Sequence, residues 1–103
     1  MRKHWISREA RADLDLIWTY IAKKSSLETA TKFVDELTVT FASLAQSPSA
    51  GVRAPDAPVP ETRKFSMGNY LIYYQAKRGG IRILRVVHGK RQQWRALRRR
   101  PQR

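Results

Sequence analysis

The sequence predicts an α+β fold: a strand, an antiparallel two-helix hairpin, then a three-stranded antiparallel meander, with the helices on one face of the sheet. Three observations carry this. Residues 61–91 hold runs of branched and aromatic residues, among them Tyr70-Leu71-Ile72-Tyr73-Tyr74, separated by two glycine turns. Residues 8–46 place their apolar side chains three and four apart, the period of helices with one buried face. A chain of 103 residues has room for one domain and one core, so the helices and the sheet must cover each other.

Taken in order, Lys3-His4-Trp5-Ile6 reads as a short strand ended by Ser7. Ser7 is a candidate N-cap, and Glu9 falls in the first turn, where the helix dipole favours an anion. A first helix runs to about Lys24 with Ala10, Leu14, Ile17 and Ile21 on its stripe and Trp18 widening it. Ser25 and Glu28 have the spacing of a capping box for a second helix. Its apolar face is Ala30, Phe33, Val34, Leu37, Phe41 and Leu44, and it stops before Pro48. Residues 47–60 hold four of the five prolines and no periodicity, which predicts a surface loop.

The meander follows, turning at Met67-Gly68-Asn69 and at Arg78-Gly79-Gly80, where glycine accepts positive φ. Simple alternation along its last strand sends Arg82, Leu84 and Val86 one way and Ile81, Ile83, Arg85 and Val87 the other. The sheet face away from the helices is then partly open. Residues 91–103 form a basic C-terminal tail, in which Trp94 and Leu97 would anchor a short helical turn.

The charge is lopsided. All eight acids lie at or before Glu61, balanced there by eight Lys and Arg, so the formal +13 resides in residues 62–103. Such a field attracts phosphate backbones or an acidic protein surface. The competing reading is a solvated surface that only keeps the chain soluble, which self-repulsion of this size disfavours. With no cysteine there is neither a disulfide nor a thiolate metal site, which suits a reducing cytoplasm. No segment has the length of a membrane span or the apolar core of a signal peptide, so no membrane partner is expected.

Residues 10–21 (ARADLDLIWTYI), 44–48 (LAQSP) with Gly51, 63–65 (RKF), 68–74 (GNYLIYY) and 83–91 (ILRVVHGKR) carry a resemblance. Together, in this order and spacing, they make the chain similar to the RelE/ParE superfamily of bacterial toxin–antitoxin toxins, the ParE branch in particular. The resemblance implies a growth-inhibiting toxin of a type II system, neutralised by a cognate antitoxin. ParE-like members act on DNA gyrase; RelE-like members cleave messenger RNA on the ribosome.

RNA cleavage needs a base for the 2′-hydroxyl, cations for the phosphate and an acid for the leaving oxygen. The resemblance places the RelE-like catalytic positions on Thr62, Lys64, Leu71, Arg91 and near Leu97. Only Lys64 and Arg91 match, and both are cations. Trp94, the nearest aromatic to the last position, cannot exchange a proton as a phenol does. His88 is the stand-in base, against the favoured reading of a turn histidine with a structural hydrogen bond. No carboxylate cluster suggests a metal nuclease, and no cofactor is expected. The expected contacts to target or antitoxin are Arg63, Arg82, Arg85, His88, Lys90, Arg91, Trp94, Arg95, Arg98 and Arg99, with Arg100 beside them. For Arg85 the alternative is a partly buried arginine bonding carbonyls; for the tail, a mobile basic segment.

The expected partners are an acidic, partly disordered antitoxin and DNA gyrase, with the ribosome and its messenger as the alternative target. Direct nucleic-acid binding through Trp94 and the tail arginines is the other class of function. The tyrosines of residues 70–74 fit a core better than a base-stacking platform.

Overall fold

The structure, a computed structural model, describes residues 2–89. Strand β1 (Lys3–Ile6) leads into helix α1 (Arg8–Lys24) and helix α2 (Leu27–Gln46). A short 3-10 turn (Pro48–Ala50) and a two-residue strand β2 (Val52–Arg53) follow, then β3 (Thr62–Met67), β4 (Tyr70–Lys77) and β5 (Gly80–His88). The strands form one sheet in the order β1-β5-β4-β3-β2. The meander is antiparallel, while β1 returns beside β5 in parallel, pairing Lys3 with Gly80 and Ile6 with Ile83. Both hairpin glycines take the left-handed backbone the turns demand, Gly68 at φ 58° and Gly79 at φ 83°.

Ser7 caps α1 as its sequence suggests, its Oγ accepting the Ala10 N–H at 3.0 Å. The cap of α2 differs by one residue. Ser26, not Ser25, is extended and accepts the Thr29 N–H, while Ser25 ends α1 by donating its N–H to the Ile21 carbonyl. A link of two residues must close one helix and open the next, and each serine does one job. The Trp18 indole donates to Thr31 Oγ1 at 3.2 Å and ties the two helices together.

Residues 47–60 are more than a loop. Tyr74 Oη accepts the Gly51 N–H at 2.8 Å and donates to the Pro48 carbonyl at 2.7 Å, which fixes the 3-10 turn and lays β2 against β3. The sheet thereby gains a fifth strand that composition alone concealed.

The core lies between helices and sheet: Ala10, Leu14, Ile17, Leu37, Phe41 and Leu44 meet Ile72, Tyr74, Ile81, Ile83 and Val86. A second cluster on the far face joins Tyr73, Leu84, Val87 and the half-buried Leu71 to Ala54, Ala57 and Val59. That face is therefore covered at one end by the 54–60 segment and open at the other.

Simple alternation fails along β5. Tyr74 pairs with Ile83 but Tyr73 pairs with Arg85, so Leu84 is an extra residue, a β-bulge. Leu84 joins the far cluster as expected, but Val86 turns in to the helix-side core and Val87 turns out. The bulge shifts parity by one residue and keeps apolar groups on both faces.

Candidate functional site

The bulge opens the edge of β5 that β1 does not reach. Beyond Ile83 this edge bonds side chains of the first helix region instead of a strand. The Ser7 hydroxyl donates to the Leu84 carbonyl at 2.9 Å. The Val86 N–H donates to Asp13 Oδ2 at 2.9 Å. Arg85 closes on the same carboxylate, donating from Nε to Oδ2 at 2.7 Å and from Nη2 to Oδ1 at 2.9 Å. Hydrogen bonding to Asp13 raises the Arg85 pKa, helped by the charges of Asp13 and Glu9, while burial pulls the other way. Arg85 is held by a carboxylate rather than by carbonyls, and its guanidinium is committed within the fold.

Beyond this pair β5 ends at His88. Its ring meets Tyr70 edge-on at 5.4 Å between centroids, and Tyr70 in turn leans on Phe33 at the same separation. These rings form one wall of a groove of about 490 Å³ whose other side is α1, with Leu16 and Tyr20 at its rim. Leu16 and Tyr20 are 70% and 48% exposed, large apolar surface for a helix whose main stripe is already buried. Sequence reasoning missed this groove. Its signal is an apolar pair at i and i+4, off the main stripe.

Of the positions expected for RNA chemistry, His88 lines this groove, whereas Thr62, Lys64 and Leu71 lie elsewhere. Thr62 is buried and donates its hydroxyl to the Val59 carbonyl at 2.6 Å. Leu71 packs in the far-face cluster. Lys64, half-buried, stands on the same face, opposite Tyr73 in the register. Arg63 points to the helix side, where it donates to the Gly51 carbonyl at 2.7 Å. Arg82 is exposed on the far face, six residues before His88 along β5 and so about 20 Å from it. Arg63, Lys64, Arg82, Arg85 and His88 thus do not converge on one point. Lys90, Arg91, Trp94, Arg95, Arg98, Arg99 and Arg100, with the helical turn expected around Trp94 and Leu97, lie outside the described residues. Among the described residues, no group of three or more His, Asp or Glu is placed to hold a metal ion. Nor is any helix among them long and apolar enough to cross a membrane.

Residues 6–93 match the family described as the ParE toxin of type II toxin–antitoxin system, parDE. The chain belongs to the ParE toxin family. Toxin ParE1 of Caulobacter vibrioides is 35% identical over 91 residues, covering 85% of this chain and 90% of that protein. The solved structure described as the chromosomal ParDE TA system from P. aeruginosa aligns with a TM-score of 0.71 at 27% identity. That alignment covers 85% of this chain and 96% of the other. As a ParE toxin, the chain has the architecture its residues predict: two helices against one face of a largely antiparallel sheet.

Proposed function

We propose that this ParE toxin inhibits DNA gyrase without catalysing a reaction of its own, and that a co-produced antitoxin silences it. One observation supports the non-catalytic reading above others. The far face, where RNA cleavage would require proton-moving side chains, presents a hydrogen-bonded buried threonine at Thr62 and an apolar cluster around Leu71. Lys64 alone cannot supply both the acid and the base. A poison needs only a shaped, charged surface that holds its target in one state.

The antitoxin suits the same molecule. An acidic segment, disordered alone, would fold into the groove beside Leu16 and Tyr20 and meet the basic end of the chain after β5.

The test is a supercoiling assay with gyrase and the purified, antitoxin-free protein. The expected result is loss of supercoiling with cleaved DNA trapped on the enzyme, weakened by Arg91→Ala. Undiminished supercoiling at saturating protein would overturn the reading and turn attention to messenger cleavage in a translating extract.

A further inference from the structure

The open end of the far sheet face carries a second charged surface, distinct from the groove. Its layout follows from the register. Trp5 pairs with Arg82, which pairs across with Gln75; Lys3 pairs with Gly80, which pairs across with Lys77. Paired residues share a face, and their sequence neighbours show which face it is. His4 contacts Phe41, and Ile81 and Ile83 lie in the helix-side core, so Lys3, Trp5, Arg82 and Lys77 stand on the opposite side. All four are exposed, as is Arg78 in the adjoining turn. The Trp5 indole lies beside that turn, 4.0 Å from where a Cβ on Gly79 would sit, and stays 46% exposed.

Two features separate this patch from an ordinary solvated surface. Strands β1, β4 and β5 contain no acid, whereas α1 and α2 carry six of the eight acids in the chain. The strands that form the patch therefore carry only positive charge, and the two acids outside the helices, Asp56 and Glu61, lie in the segment before β3. Moreover, the 54–60 segment covers the other end of this face but leaves a large indole in water here. Four cations around an exposed aromatic ring complement a polyanion whose repeating units also offer a flat π-face. Lys3 and Lys77 stand two strand spacings apart, about 10 Å, room for a base between two phosphate contacts.

We propose that Lys3, Trp5, Lys77, Arg78 and Arg82 bind a single strand of nucleic acid, the cations on its phosphates and Trp5 stacked on a base. This inference holds whether or not gyrase is the target, since it concerns what the surface itself recognises. The basic residues after β5 attract any polyanion, so the test must separate local from overall charge.

Fluorescence anisotropy with a labelled twelve-residue oligo-dT, on the full chain, does this. Lys77→Glu with Arg82→Glu is expected to weaken binding at least tenfold. The same charge reversal on the helices, Lys23→Glu with Lys32→Glu, is expected to weaken it by no more than about twofold to threefold. Trp5→Ala, which removes no charge, is expected to weaken binding about tenfold, the scale of one lost base stack. Circular dichroism checks that each variant folds. Equal losses from the two charge reversals, an unaffected Trp5→Ala, or equal affinity for a duplex of the same length would each overturn the proposal.

Discussion

Asp13 answers three donors with one carboxylate: the Nε and Nη2 of Arg85 and the backbone N–H of Val86. Removing it strands a mostly buried guanidinium and an N–H that no strand can reach. Asp13→Ala should therefore cost about 3 kcal/mol, the low end for breaking a buried pair, because the Arg85 side chain keeps 20% of its exposure. Chemical denaturation of wild type and variant checks it. Arg85→Met paired with Asp13→Leu should recover part of that loss but not all, since the Val86 N–H remains without an acceptor. The raised Arg85 pKa fixes a sign for the pH dependence. Its contribution is fully present below the arginine's unfolded value and is lost only as pH rises through the higher folded value. The stability gap between wild type and Arg85→Met should thus stay level from neutral pH to about pH 10.

At the scale of elements, caps and anchors carry the predictions. Ser26→Ala should cost about 1 kcal/mol, and Ser25→Ala less than about half of that, because only the Ser26 side chain caps α2. Tyr74→Phe should cost about 2 kcal/mol and raise hydrogen exchange at Gly51, since one phenol holds both the Gly51 N–H and the Pro48 carbonyl. These are also the places where the sequence was hard to read. Both helices, the three long strands and both glycine turns follow from periods and turn residues visible along the chain. The Ser26 cap was hidden because Thr29, not Glu or Gln, stands three residues on. Strand β2 was hidden because two residues have no period, and a tyrosine over twenty residues away holds them in place. The Leu84 bulge left no local mark, and with it went the facing of Val86 and Val87. Of the site residues, the cations were legible as charges, but that Arg63 and Arg85 are engaged within the fold depended on a carbonyl and a carboxylate distant in sequence.

At the scale of the whole molecule, the helices hold six acids nearly balanced by five Lys and Arg, while the net positive charge lies in residues 62–103. Binding of an acidic antitoxin segment should therefore weaken as salt rises yet keep an apolar component from the groove at Leu16 and Tyr20. Isothermal titration across salt concentrations would show a falling affinity with a persistent negative heat-capacity change. A salt-insensitive complex would count against an acidic partner. The same molecule should leave messenger intact in a translating extract, and Lys64→Ala should change nothing there.

The parallel seam between β1 and β5 joins residue 3 to residue 80, so nearly the whole chain must exist before its first strand has a place to go. During synthesis the opening residues emerge early and wait, with the Ser7 hydroxyl lacking Leu84 and the Asp13 carboxylate lacking Arg85. Contacts of such long sequence separation are slow to close. A fragment ending at residue 79 should show helical signal without a cooperative unfolding transition. The fold thus postpones its own completion until β5 has been made, and a chain cut short before that point would be an unfinished, harmless product.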